Sequence, residues 1–143
     1  MMTRSDCSVS PEQLLAEAKK ARKRSYAPYS QCRVGAALLA SNGKIYHGCN
    51  IENAAFGPTV CAERVAIFKA VSEGVRDFTA IAVVGGKSAE TSGRFPPCGV
   101  CRQVLREFCS PEGLTIILEQ EDGSPLLLTL AELLPHSFGP DFL

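Results

Sequence analysis

Two periods of apolar residues alternate along this chain, and the points where one gives way to the other predict its elements. Leu14, Leu15, Ala18 and Ala21 recur at helical spacing, which predicts a helix from residue 11 to about residue 24. Ser10-Pro11-Glu12-Gln13 marks its start with a capping serine, a proline at the first helical position and a glutamine that reciprocates the cap. Tyr26-Ala27-Pro28-Tyr29-Ser30 breaks it. Residues 33–40 read as a strand, Ser41-Asn42-Gly43-Lys44 carries the Asn-Gly signal of a tight hairpin, and residues 44–49 return antiparallel. Residues 50–60 are polar and small, with Gly57-Pro58 as a turn.

The helical period resumes from residue 61 to 73 and stops at Gly74. Val65, Ala66, Ile67, Phe68, Ala70 and Val71 are apolar nearly all round this helix, so it is expected to be central and covered. Residues 79–84 are a short continuous apolar run, the pattern of a parallel strand covered on both faces. A polar, glycine-bearing loop follows over residues 85–95. A second helix is predicted from Pro97-Cys98 to about residue 109, then strands at 114–118 and 126–128 separated by the turn Glu121-Asp122-Gly123-Ser124. Thr129-Leu130-Ala131-Glu132 is a capping box for a last short helix. A hairpin followed by strand–helix alternation predicts an α/β fold, a mixed sheet with helices on both faces.

Composition narrows the classes. At 143 residues the chain fits one domain, residues 1–143, with residues 1–10 expected as a mobile tail. Lys+Arg and Asp+Glu number 15 each, so no net field draws the chain to nucleic acid or to an anionic membrane. The run Lys19, Lys20, Arg22, Lys23, Arg24 reads as the solvated last turn of a helix, where cations suit the dipole. No stretch approaches the roughly 20 apolar residues of a membrane span. Seven cysteines, two of them in a Cys-x-x-Cys without an export signal before them, point to metal or redox chemistry in a reducing cytoplasm.

The chemistry concentrates in two short motifs, Cys61-Ala62-Glu63 and Pro97-Cys98-Gly99-Val100-Cys101. Both fall at predicted helix N-termini, which favour thiolates. Cys98 and Cys101, three residues apart on one helical turn, can grip one ion together. Three thiolates on zinc leave a fourth position for water, the arrangement of a catalytic site. Glu63 is suited to move that water's protons. The combination resembles the pattern of zinc-dependent base deaminases in their three-cysteine form. Zinc with three thiolates has a formal charge of −1, and Arg64 is the candidate to offset it by donating to a cysteine sulfur. A structural four-cysteine site is the competing reading. Cys109 lies too far along its helix to be the fourth ligand, Cys49 remains open, and His47 is expected to be an exposed strand residue.

Three segments carry a family resemblance: Gly48-Cys49-Asn50-Ile51-Glu52-Asn53-Ala54-Ala55-Phe56, Cys61-Ala62-Glu63-Arg64 and Pro97-Cys98-Gly99-Val100-Cys101-Arg102-Gln103. With these the chain resembles the free-nucleoside cytidine deaminases from about residue 11 to its end. The resemblance implies a three-layer α-β-α sandwich around a mixed five-stranded sheet. It implies one Zn²⁺ per subunit on Cys61, Cys98 and Cys101, with Glu63 as the catalytic acid–base. Asn50 and Glu52 would bind the ribose 3′-hydroxyl, and the backbone at Ala62 the base edge. A homotetramer would complete each pocket with a neighbour's Ala54–Phe56 loop and Phe138. The implied reaction converts cytidine and 2′-deoxycytidine to the uridines with release of ammonia. Cys32 departs from the family, which usually has an aromatic residue there, and Phe56 stands where a tyrosine is common. Weaker binding or a different tolerance at the base is expected. The alternatives are a deaminase of a modified or antibiotic amino-pyrimidine nucleoside, and a non-catalytic zinc-stabilised module.

Overall fold

The computed structural model describes residues 9–91 and 93–143. Most of the expected tail, and Cys7, lie outside the described residues; Ser10 is part of the first helix's cap. Helix α1 spans Pro11–Arg22, and Ser10 and Gln13 form the capping box. Strands β1 (Arg33–Ala40) and β2 (Ile45–Cys49) form the hairpin. Helix α2 (Ala62–Ser72) leads to β3 (Phe78–Gly86), α3 (Gly99–Phe108) and β4 (Thr115–Glu119). Strand β5 (Pro125–Thr129) and the short helix α4 (Leu130–Leu133), with its Thr129/Glu132 box, follow.

The five strands are ordered β2-β1-β3-β4-β5. Only β3 and β4 are parallel; the other pairs are antiparallel, so the sheet is mixed. Alternation along β1 sorts the core into two layers. Ala36, Leu38 and Ala40 pack with Ala62, Ala66 and Ile67 of α2 and Leu105 of α3. Ala37 and Leu39 pack with Leu14, Leu15 and Ala18 of α1. Helices therefore cover both faces, the expected three-layer α-β-α arrangement.

Strand direction sets the position of the chemistry. Arg33 of β1 pairs with Gly86 of β3, and Gly35 with Cys49 of β2. The start of β1 and the ends of β2 and β3 thus meet at one edge of the sheet, where α/β folds gather their ligands. Gly48 lets α2 begin there: a Cβ on it would lie 2.2 Å from the Ala62 carbonyl oxygen and 2.6 Å from the Ala66 nitrogen. Only a residue without a side chain allows the first turn of α2 to rest on β2.

Three expectations are corrected. α2 buries one face against the sheet, but Phe68 remains 48% exposed, because none of the described elements covers it. His47 is half-buried, since it faces α1 and its Nε2 lies 2.7 Å from Glu17 Oε1. Arg22 is also buried, although it belongs to the cationic run. Its guanidinium donates to the carbonyls of Arg33 (2.9 Å), Gly86 (2.7 Å), Ser88 (2.5 Å) and Ala89 (3.0 Å). No helix among the described residues is long and apolar enough to cross a membrane.

Candidate active site

Cys61 and Cys98 are the N-cap residues of α2 and α3, and Cys101 lies in the first turn of α3. Their sulfurs converge within 4.8 Å of one another. Cys61 Sγ is 3.7 Å from Cys98 Sγ, which is 3.5 Å from Cys101 Sγ. Four ligands placed tetrahedrally at about 2.3 Å from zinc stand about 3.8 Å apart, so these donors fit that ion. They are too far apart for a disulfide bond of about 2.05 Å. Cys49 and Cys109 are outside the cluster, so among the described residues the four-cysteine reading has no fourth thiol.

The local field favours thiolate formation unevenly. Hydrogen bonding from Cys101 holds the Cys61 thiol down to about 5, against burial, with help from Arg64 and Cys98. The same contact with Cys61, together with burial, pushes Cys101 upward. One negative charge thus opposes the next, and a divalent cation is the partner that lets all three sulfurs lose their protons. Arg64 Nη2 donates to Cys61 Sγ at 3.5 Å, the contact expected for it.

Glu63 is buried, 3% exposed, in the first turn of α2. Burial pushes its carboxyl up to about 7, and the Cys61 charge adds to this. A hydrogen bond from its own backbone N–H, the Arg64 charge and the Cys101 thiol pull the other way. A carboxyl poised near neutrality can both take and return a proton.

Asn50 and Glu52 follow β2, and an antiparallel bridge between Ile51 and Val60 brings this segment back beside Cys61. Asn50 is buried. Its Oδ1 accepts from Val34 N at 2.9 Å and from the Ser25 hydroxyl, while Nδ2 donates to the Cys32 carbonyl at 2.8 Å. Glu52 Oε1 accepts from Tyr29 N (2.9 Å) and Ser30 N (3.1 Å), and Oε2 from the Ser30 hydroxyl. These bonds, the Ser30 hydroxyl first, hold the Glu52 carboxyl below its usual range. Both side chains thereby fix the turn that carries Cys32, which packs partly buried against the α2–α3 core layer. Tyr29, Ser30, Glu52, Asn53, Phe56 and Thr59 line a cavity of about 340 Å³, within the range of small-molecule sites.

The sequence profile described as "Cytidine and deoxycytidylate deaminase zinc-binding region" matches residues 8–116. The chain belongs to the cytidine and deoxycytidylate deaminase family. It is 54% identical over 130 residues to the cytidine deaminase of Sporosarcina psychrophila, covering 91% of this chain and 92% of that one. It is 50% identical over 127 residues to the cytidine deaminase of Halalkalibacterium halodurans, covering 89% and 92%. The crystal structure of cytidine deaminase from Burkholderia pseudomallei superposes with a TM-score of 0.80 at 45% identity, covering 96% of this chain and 100% of that one.

Within this deaminase frame the remaining candidates are dispersed. Ala62 is fully buried beneath Gly48, while Ala54 and Phe56 are exposed on the 53–59 loop, Phe56 by 83%. Phe138 is absent from the cavity lining and is attached instead to α3, its carbonyl accepting from Gln103 Nε2 at 2.9 Å. Ser25 and Ser30, which orient Asn50 and Glu52, were not assigned by motif reasoning. Their signal was available only as small hydroxyl residues in the turn that precedes β1.

Arg64 yields a test at this point. Arg64→Gln should weaken zinc retention about 10–100-fold, measured by competition with a chelator. Unchanged retention would show that the Arg64–Cys61 contact does not stabilise the thiolate.

Proposed function

We propose that this chain hydrolyses cytidine and 2′-deoxycytidine to uridine and 2′-deoxyuridine, releasing ammonia, in pyrimidine salvage in the cytoplasm. The observation that carries this reading is the convergence of three thiols and a buried carboxyl poised near 7, with Asn50 and Glu52 beside them. Cys61, Cys98 and Cys101 would hold one zinc per subunit, which when bound acts as a Lewis acid and lowers the pKa of water toward neutrality.

Glu63 then does the proton work. Its carboxylate takes a proton from the attacking water and delivers it to N3 of the base as the C4–O bond forms. The second proton of the water reaches the amino group by the same carboxyl. The C4–N bond breaks, and ammonia leaves with the proton it needs. Atoms balance as one water consumed and one ammonia released.

Asn50 and Glu52 supply the sugar reading. Asn50 Nδ2 uses one of its two protons on Cys32, and Glu52 Oε2 accepts one bond from Ser30, so each retains capacity for a hydroxyl. A ribose 3′-hydroxyl can accept from the first and donate to the second. The same carboxylate repels a phosphate at that position. Free nucleosides are therefore favoured over 3′-nucleotides and over nucleic acid, whose 3′-oxygens carry phosphate.

A homotetramer fits the surface of the protomer. Phe68 of α2 is half exposed, and Arg64 Nε is buried without a hydrogen-bond partner among the described residues. The Ala54–Phe56 loop and Phe138 leave their own fold exposed, as residues that complete a neighbour's pocket would.

The test is an ultraviolet assay of the zinc-loaded protein on cytidine, 2′-deoxycytidine and 3′-CMP. Both nucleosides should be consumed, with 3′-CMP slower by about 10²-fold or more, and Cys32→Phe should lower KM for cytidine by restoring an aromatic wall. Turnover of a different amino-pyrimidine alone would transfer the reading to a modified nucleoside. Consumption of neither would leave a zinc-stabilised module without catalysis.

A further inference from the structure

The segment after α4 contains only the 3-10 turn Pro140–Phe142, yet α3 fixes it at three points and holds the last residue of α4 at a fourth. Arg102 Nη1 donates to the Leu133 carbonyl at 2.6 Å, and Gln103 Nε2 to the Phe138 carbonyl at 2.9 Å. Arg106 Nε donates to Ser137 Oγ at 2.8 Å, and Nη2 to Asp141 Oδ1 at 2.6 Å. Between those two contacts the backbone passes over the guanidinium, where a Cβ on Gly139 would lie 2.4 Å from its carbon. Arg106 is only 7% exposed, so this charge is committed to the segment.

What the clamp holds is an aromatic pair directed outward. Phe142 stacks on Phe138 with ring centroids 5.6 Å apart and planes inclined by 20°. The rings remain 64% and 57% exposed. A tail anchored for packing alone would turn its rings inward, where burial stabilises them. Here a buried cation, a close-packed glycine and a second ring instead immobilise an exposed phenyl.

We propose that Arg106 and Phe142 are positioning residues that hold Phe138 in the orientation in which it meets the nucleoside. This rests on the reading that Phe138 closes a neighbour's pocket. An exposed ring fixed beforehand loses less freedom when substrate arrives, so the device acts on binding and not on the chemical step. Arg106 acts through the backbone of residues 137–141, and Phe142 through the ring itself.

The experiment measures KM and kcat for cytidine in Phe138→Ala, Phe142→Ala, Asp141→Asn and the double variant Phe138→Ala/Phe142→Ala. Phe142→Ala should raise KM about 2–10-fold, the span one aromatic pair sustains, with kcat, zinc content and oligomeric state unchanged. Asp141→Asn should shift KM in the same direction without disturbing the core, because its carboxyl is 63% exposed. The double variant should have the KM of Phe138→Ala alone, since Phe142 has no ring left to hold. An unchanged KM in Phe142→Ala, or additive effects in the double variant, overturns the proposal while Phe138→Ala alone still supports the pocket reading. A wild-type KM in Phe138→Ala removes that reading and the proposal with it. A fall in kcat accompanied by loss of zinc or of the oligomer marks a merely structural tail and also overturns it.

Discussion

Glu63→Gln is expected to lower kcat for cytidine by at least about 10²–10⁴ while the chain stays folded and keeps its zinc. Glutamine preserves the shape of a buried side chain and can still accept from the backbone N–H that Glu63 engages. It cannot take a proton. The loss should therefore appear in kcat, with the metal content and the melting temperature close to those of the parent. The competing account makes Glu63 a packing residue whose charge is incidental to the thiol cluster. On that account the neutral amide would be tolerated or even favoured, because burial already opposes ionisation there. Turnover within tenfold of the parent, with zinc retained, would sink the acid–base role.

Features encoded locally could be read directly from the sequence. Ser10 with Gln13 and Thr129 with Glu132 are capping boxes within four residues, and both form as expected. The bounds of β1 follow from a continuous apolar run that ends at an Asn-Gly turn. The thiol cluster was legible for a related reason. Each motif opens a helix, so the two helix starts only had to meet at one sheet edge. What escaped was long-range. Arg22 continues the apolar stripe four residues after Ala18, yet its carbonyl partners, apart from Arg33, lie 64 to 67 residues away at the end of β3 and in the loop after it. His47 meets Glu17 across 30 residues, a pairing that strand alternation alone does not specify. Phe68 reads as core by composition, because an apolar residue left on the surface and one buried in the fold have the same sequence pattern.

Asn50 and Glu52 show a second limit. Motif reasoning assigns them to substrate, and the structure gives them a prior task of holding the turn around Ser30 and Cys32. The two tasks are compatible, since a side chain already locked by backbone bonds presents its remaining donor or acceptor in one direction. A substitution at either position will consequently disturb the turn as well as the proposed sugar contact. Changing the substrate, as in the assay with 3′-CMP, separates these effects in a way that mutating Glu52 cannot.

Cys101→Ala should abolish both zinc binding and turnover, with kcat/KM reduced by more than about 10³, and should leave the α/β fold in place. Cys101 is fully buried in the first turn of α3, and its sulfur completes the set of three. Two thiols cannot substitute for three at a tetrahedral site that must also keep a position for water. Small zinc domains unfold without their metal because they lack another core. Here Leu38, Ile67, Ile81, Leu105, Ile116 and Leu118 form a core between sheet and helices that does not depend on the cluster, so hydrophobic burial should outweigh the lost coordination. Cys109 provides the control: it is buried, its thiol is pushed up to about 12 by burial, and it lies outside the cluster. Cys109→Ala should retain zinc and kcat at the cost of core packing alone. Metal analysis and circular dichroism of the two variants distinguish the cases. A Cys101→Ala protein that keeps stoichiometric zinc would remove Cys101 from the ligand set, and one that unfolds where Cys109→Ala does not would make the metal structural after all.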